Sequence, residues 1–239
     1  MKLQLVGCSH HTSGIEVRER IAFSAEEVRT ALDRLRDRYP KSEAVLLSTC
    51  NRVELYTAGE SSDHLPTADE AIRFLAEFHG ISPESIHADL FRMSDEEVLR
   101  HLFRVAASLD SMVVGEPQIL SQVKEAYQQA IVRDATGPIT HAIFQAAVTV
   151  ARRVANETTI NQRRVSIPSL AVADFAKQIF EEFHDKHVLV IGAGEMAEET
   201  LLFLKDEGAT DVTVINRNRS RADELANEWQ GREIGRAHV

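Results

Sequence analysis

Ala44-Val45-Leu46-Leu47-Ser48-Thr49-Cys50-Asn51-Arg52-Val53-Glu54-Leu55-Tyr56-Thr57 is the stretch from which the rest of the chain is read. Its first four residues form a short apolar run that suits a buried strand. Its last five alternate apolar and polar, the period of a half-buried strand. Ser48 to Arg52 therefore form a tight connection that carries a thiol at a sheet edge. Arg52 lies two residues beyond that thiol. A guanidinium close to a cysteine favours the thiolate, the nucleophilic form. The same guanidinium could instead grip a substrate carboxylate in a bidentate fork. A plain alternative stands beside both roles: a free cysteine is most often a small buried residue.

Outward from this hairpin, the first half reads as strand, helix, two strands, helix, strand. Residues 2–8 are the first strand. Ser24 and Glu27 form a capping box for a helix with Val28, Ala31, Leu32 and Leu35 on its apolar stripe, closed by Pro40. Thr67 and Glu70 cap a second helix with Ile72, Phe74, Leu75 and Phe78, ended by Gly80. Residues 87–93 supply the last strand. This order is that of a ferredoxin-like split βαβ unit.

A helical stretch follows. Ser94 and Glu97 suit a cap for a helix carrying Val98, Leu102, Val105 and Ala106, with His101 beside the stripe. After the loop at residues 109–115, Pro117 suits the first turn of a helix to about residue 134. Gln118 and Gln122 share one face of it. Gly137-Pro138 breaks the chain before a helix over about residues 140–158. Arg152, Arg153, Arg163 and Arg164 gather positive charge there. A solvated helix surface explains them better than a phosphate patch does.

From Ser166 the pattern becomes α/β. A helix over residues 168–183 leads into a strand at 187–191. Gly192-Ala193-Gly194-Glu195-Met196-Ala197 and a helix to about residue 207 follow, then a strand at 211–215. This is a βαβ unit with the dinucleotide fingerprint in its first turn, alanine replacing the third glycine. Glycines let the backbone approach a pyrophosphate, whose charge the helix N-terminus stabilises. Asn216-Arg217-Asn218-Arg219 closes the second strand without the acid that would hold the ribose hydroxyls of NAD. Arginines there suit a 2′-phosphate, so NADPH is the expected cofactor. Two strands do not complete a doubly wound sheet. Residues 234–239 (Ile-Gly-Arg-Ala-His-Val) belong to no element and look like the translation of a sequencing adapter, so they are read as a non-native tail.

Composition narrows the setting. The chain has 239 residues, 44% of them hydrophobic, which is ordinary for a globular protein of one or two domains. No apolar run is long enough to span a bilayer, and residues 1–6 carry no secretory pattern. Two well-separated cysteines make neither a disulfide framework nor a recognisable metal site, so a cytoplasmic location is expected. A net charge of -10 argues against an overall nucleic-acid-binding surface while leaving room for a local basic patch.

Several motifs together resemble the glutamyl-tRNA reductase family. They are Arg18-Glu19-Arg20, the stretch from Leu47 to Tyr56, Leu109-Asp110-Ser111, Gly115-Glu116-Pro117-Gln118-Ile119-Leu120, and the Gly192-Ala193-Gly194 turn. The resemblance covers the chain to about Gly231. It implies an N-terminal catalytic domain over residues 1–158, a partial Rossmann NADPH domain over 159–233, and the tail at 234–239. It also implies a C-terminal helical dimerisation domain that this chain lacks, and a V-shaped homodimer in the full-length protein. Cys50 matches the family's nucleophile and His101 a histidine important for activity. That histidine would deliver a proton or position another group; simple packing between helices is the plain alternative. Thr49, Asn51, Arg52, Ser111, Glu116, Pro117, Gln118 and Gln122 match the glutamyl pocket, where Glu116 suits an α-ammonium and Arg52 the γ-carboxylate. Residues 192–197 match the NADPH phosphate loop.

The implied chemistry passes from glutamyl-tRNA(Glu) through a Cys50 thioester to glutamate-1-semialdehyde, the first step of tetrapyrrole (5-aminolevulinate) synthesis from glutamate. It requires NADPH and no metal. The implied partner is the aminomutase that consumes the aldehyde, with no membrane involved. Cys8 and His11 stand where relatives often carry other residues, and Cys8 reads as a small strand residue. Two other classes stay open: a thiol-dependent aminoacyl-ester hydrolase, and a fragment that binds tRNA or a partner without turnover.

Overall fold

A computed structural model describes residues 1–116, 118–160, 172, 176, 179–180, 182–229 and 232–233. The chain divides into two compact units, Met1–Arg163 and Arg164–Val239. The first mixes helices with an antiparallel sheet; the second has a parallel, Rossmann-like sheet.

In the first unit, β1 (Lys2–Ser9), β2 (Glu43–Ser48), β3 (Arg52–Gly59) and β4 (Phe91–Ser94) form a sheet in the order β2-β3-β1-β4. Every neighbouring pair is antiparallel. β1 lies against β3 from Lys2↔Gly59 to Ser9↔Arg52, and β2 meets β3 from Glu43↔Ala58 to Ser48↔Val53. α2 (Ala25–Arg38) joins β1 to β2, and α3 (Ala68–Phe78) joins β3 to β4. Both expected capping boxes form. The Ser24 and Thr67 backbone N–H groups donate to Glu27 and Glu70 at 2.7 and 2.8 Å, and the return bonds are 3.3 Å each. Gly80 ends the α3 turn at φ +66°, a conformation that glycine adopts without a Cβ clash.

Four expectations need correction. First, β3 is buried along its whole length rather than on one face. A helical layer covers the second face: α4 (Glu96–Ala106), α5 (Gln118–Val132) and α6 (Pro138–Glu157). Tyr56 of β3 meets Phe144 of α6 edge-on at 5.5 Å, so the face holding Arg52, Glu54 and Tyr56 looks into that layer. Second, the last strand begins at Phe91, not at 87. A 3-10 turn at Pro83–Ser85 and the bond from Asp89 N to Ile86 O fold the preceding residues back.

Third, Ser94 does not cap α4, because it still pairs with Gln4 in the sheet. Asp95 is the N-cap, at φ 48°, and its carboxylate accepts from Leu3 N and Lys2 Nζ instead of from the helix. Fourth, a short helix not foreseen from the sequence, α1 (Ile15–Arg20), follows β1 and brings Arg18 toward the hairpin. Of the arginines gathered at 152–164, Arg153 pairs with Glu157 one turn on at the surface, while Arg163 and Arg164 lie outside the described residues.

In the second unit, β5 (His187–Ile191), α7 (Glu195–Asp206), β6 (Asp211–Ile215), α8 (Arg219–Glu228) and β7 (Arg232–Glu233) follow in order. The strands are parallel in the order β5-β6-β7, so a short third strand joins the two expected. Its own core gathers Val212, Val214, Leu201, Leu204, Ala222 and Leu225. The helix expected over 168–183 and the tail at 234–239 lie, but for a few residues of the former, outside the described residues.

Candidate active site

The hairpin between β2 and β3 closes on two residues. Thr49 N donates to Arg52 O at 2.8 Å, which leaves Cys50 and Asn51 at the tip. The Thr49 hydroxyl accepts from the N–H groups of Asn51 and Arg52 at 3.2 Å each, a side-chain turn that fixes the backbone beyond the cysteine. His10 N donates to Asn51 O at 2.9 Å. Arg18 Nε reaches Cys50 O at 3.4 Å while its Nη1 donates to Ser13 O at 2.5 Å. The tip is thus pinned by backbone and side-chain bonds, yet Cys50 itself is exposed. Cys8 behaves as the strand residue expected: it is fully buried, and burial pushes its thiol pKa up.

Arg52 is 1% exposed and faces carboxylates of its own chain. Nη1 donates to Glu54 Oε1 at 2.7 Å. Nη2 bonds the Asp110 carbonyl and lies 3.3 Å from Asp110 Oδ1. The contacts seen are therefore these internal ones, where the sequence suggested the thiol or a substrate carboxylate. Glu54 gathers a wider network. His101 Nε2 lies 2.8 Å from Glu54 Oε1, and the Tyr56 hydroxyl donates to Glu54 Oε2 at 2.5 Å. Burial alone would raise the Glu54 pKa. The hydrogen bond from His101, the Arg52 charge and the Tyr56 hydroxyl outweigh it and hold the carboxyl at about 2. The same burial, with the Glu54 charge alongside, pushes the Tyr56 phenol well above its ordinary value. Gly7 lies opposite Glu54 in the sheet, and a Cβ there would stand 2.4 Å from Val53 O and 3.0 Å from Glu54 Cγ. Its lack of a side chain makes room for the network.

Asp110 ties a second segment to this one. The loop after α4 is closed by Gly115 N donating to Ser108 O at 3.1 Å, with the Ser108 hydroxyl 3.2 Å from that of Ser111. Ser108 sits at φ +58° and Gly115 at φ +92°. A Cβ on Gly115 would stand 2.5 Å from Ile160 O, so glycine is required twice over. Thr49 to Arg52, His101 and the Asp110-Ser111 pair are thereby brought together. Glu116 ends the loop, its N–H donating to Val113 O at 3.3 Å, and Pro117 lies outside the described residues. Gln118 and Gln122 are half-buried one turn apart on α5. Gln122 lines a cleft of about 120 Å³ with Phe23 and Ser48, beside the hairpin rather than at its tip.

Glu54, Tyr56, Asp110, His10 and Arg18 were not singled out as site residues from the sequence. A signal existed for two of them, Glu54 and Tyr56. Arg52, Glu54 and Tyr56 are alternate strand positions and must share a face. That face was taken as solvent-facing.

In the second unit, Gly192 follows β5 at φ +108°, and its N–H donates to Ile215 O at 2.7 Å. Gly194 caps α7 and accepts from Ala197 N and Glu198 N at 2.9 and 3.1 Å. Among the described residues, no atom stands within 4 Å of a Cβ built on either glycine. A cleft of about 520 Å³ opens here, lined by Ile191, Gly192, Gly194, Met196, Ala197, Glu198 and Arg221. Ala193 is buried, and the Glu195 side chain lies outside the described residues. Arg217 and Arg219 are exposed just past β6, and Asn216 Nδ2 donates to Asn218 O at 3.0 Å. Arg221 is a cleft residue not foreseen from the sequence. Bare glycines at a helix N-terminus fit the pyrophosphate of a dinucleotide.

Comparison with known proteins accords with both units. The family model for the glutamyl-tRNAGlu reductase N-terminal domain matches residues 6–158, and that for shikimate / quinate 5-dehydrogenase matches residues 174–238. Glutamyl-tRNA reductase of Rhodopirellula baltica is 46% identical over 96% of this chain and 54% of its own length. That of Rubrobacter xylanophilus is 43% identical over 97% of this chain and 53% of its own. The solved glutamyl-tRNA reductase from Methanopyrus kandleri superposes with a TM-score of 0.62 at 37% identity, covering 98% of this chain and 54% of that one. The chain thus spans about half the length of the curated relatives it matches. With its hairpin thiol, its buried Arg52–Glu54–His101 network and these matches, the chain belongs to the glutamyl-tRNA reductase family.

Proposed function

We propose that this chain carries out the acyl-transfer half of an NADPH-dependent reduction of glutamyl-tRNA(Glu) to glutamate-1-semialdehyde, at the head of tetrapyrrole synthesis. The observation that carries this is an exposed thiol on a pinned two-residue turn, joined through Arg52 to a loop bearing Ser111. We take the four-stranded unit, with its two interleaved βαβ crossovers, to be a ferredoxin-like catalytic domain, and the parallel unit to be the NADPH domain.

An aminoacyl ester is already activated, so a thiolate attacks it without a full triad. The Cys50 Sγ–carbon bond forms, the carbon–ribose oxygen bond breaks, and the thiol proton ends on the released ribose hydroxyl. Thr49 fixes the turn, so Asn51 and Arg52 present constant geometry to the glutamyl group. Arg52 takes the γ-carboxylate in exchange for the Asp110 carboxylate, while Glu54 keeps the guanidinium in place. Ser111, Glu116, Pro117, Gln118 and Gln122 complete the pocket, Glu116 serving the α-ammonium. His101 acts through Glu54. NADPH, when bound, would supply the hydride to the thioester carbon and leave as NADP, while the carbon–sulfur bond breaks to free the aldehyde and return Cys50 as its thiolate. Residues 192–197 would cradle its pyrophosphate, and Asn216, Arg217, Arg219 and Arg221 would hold its 2′-phosphate. A reducing cytoplasm keeps Cys50 free. A homodimer and transfer of the aldehyde to the aminomutase complete this reading.

Incubating the chain with tRNA charged with labelled glutamate, without NADPH, tests the acyl step. Acid quenching and mass spectrometry should find a thioester on Cys50, absent from Cys8 and lost in Cys50→Ser. A folded, tRNA-binding chain with no label on Cys50 would refute the reading. Because Cys50 is exposed, water also reaches the thioester, and free glutamate should accumulate when hydride is withheld. Stoichiometric NADP formation with an aldehyde product separates the reductase from a simple thiol hydrolase.

A further inference from the structure

The short helix α1 carries a cation, Arg18, whose charge nothing in the catalytic network uses. We propose that Arg18 binds the phosphodiester of the terminal nucleotide of the acyl-RNA, one ribose away from the ester that Cys50 attacks. The proposal rests on the acyl-transfer reading above and adds to it a residue that holds the RNA.

Arg18 stands at the nucleophile. Its Nε donates to the carbonyl of Cys50 itself, and its Nη1 to Ser13 O. Both acceptors are neutral carbonyls, and among the described residues no carboxylate forms an ion pair with Arg18 and Nη2 has no partner. Arg52, the other arginine of this site, pairs with both Glu54 and Asp110. On a chain of net charge -10, an arginine left without a counter-charge beside the reacting thiol is set for an anion that arrives with the substrate. The two titratable groups that its charge acts on, Cys8 and His10, do not cancel it. Burial raises the Cys8 thiol and lowers His10, so both are neutral near pH 7.

Burial assigns the two anions of the substrate to the two arginines. Arg52 is 1% exposed and suits a small carboxylate that enters the pocket. Arg18 is half-buried, with Nε and Nη1 bonded to backbone carbonyls and Nη2 without a hydrogen-bond partner among the described residues. That suits a phosphodiester, which must stay at the rim because the RNA cannot follow the glutamyl group inside. A planar guanidinium offers two parallel N–H groups to such an anion.

The test is a double-mutant cycle on binding, read by fluorescence anisotropy with the whole chain. The probe is an RNA hairpin ending in a single-stranded CCA tail. In a second probe the last phosphodiester is replaced by a neutral methylphosphonate. Arg18→Gln should weaken binding of the native hairpin about tenfold and lower the slope of log affinity against log salt by about one. The methylphosphonate should weaken the wild type about as much and Arg18→Gln no further. Independent, additive losses would overturn the proposal, as would an unchanged Arg18→Gln or a wild type that does not bind the hairpin. Should Arg18→Gln fail to fold, Arg18→Lys takes its place. It keeps the charge, so it should still discriminate between the two probes, and equal affinity for both would overturn the proposal. Acylation of Cys50 by the charged hairpin, measured in parallel, keeps the two ideas apart. Non-additive binding without acylation rejects the reductase reading alone, and acylation with additive binding rejects the role of Arg18 alone.

Discussion

At the scale of single residues, Glu54 has the largest consequences. It is fully buried and bonded to Arg52, Tyr56 and His101. Removing one member of a buried ionic set leaves the others uncompensated, so Glu54→Ala should cost about 3–5 kcal/mol in urea unfolding. The pH dependence has a definite sign. The folded-state carboxyl sits at about 2, below its ordinary 4.5, so it stabilises the fold above pH 4.5 and loses that contribution as pH falls toward 2. The urea midpoint of the wild type should therefore drop more steeply between these pH values than that of Glu54→Gln. His101→Gln keeps an N–H donor for Glu54, so Cys50 acylation should stay within about fivefold; a loss of about a hundredfold would mean that the imidazole itself moves a proton. The hairpin thiol was legible because an apolar run, a polar turn and an alternating run are local signals. The network behind it was not. Glu54 and Tyr56 look like solvent-facing strand residues until α4 and α6, distant in sequence, are known to cover them.

At the scale of elements, helix ends show where local chemistry decides and where the sheet overrides it. Ser24 and Thr67 cap their helices as read, because neither is used by a strand. Ser94 fails as a cap because its register with Gln4 keeps it in β4. The N-terminus of α6 is satisfied from outside. Glu43, on the edge strand β2, accepts from Ile139 N at 3.2 Å, Thr140 N at 2.6 Å and the Thr140 hydroxyl at 2.7 Å. Spacing along the sequence gives no hint of a partner nearly a hundred residues away. Glu43→Ala should lower stability by about 1–2 kcal/mol, measured by denaturation, with Glu43→Gln losing less. Gly115→Ala should weaken the loop that carries Ser111 and slow acylation of Cys50. Its effect on global unfolding should be smaller than that of Glu43→Ala.

At the scale of the whole molecule, the two units have separate cores. Leu201 is fully buried in the one, and Leu32 and Leu5 in the other. Calorimetry should resolve two unfolding transitions. Leu201→Ala should shift one and Leu32→Ala the other, each destabilising its own unit by about 2–5 kcal/mol. The change from alternating and helical patterns to a βαβ pattern after Ser166 made this division readable. The short pairing of β7 with β6 was not, since two residues carry no periodicity.

The contrast between the two cysteines has a practical use. An alkylating reagent such as iodoacetamide should add one carboxamidomethyl group to a folded molecule, at the hairpin tip, and two to an unfolded one, once Cys8 is released from β1. The mass of the intact chain then counts folded and unfolded copies in a crude extract, with no dye, tag or substrate.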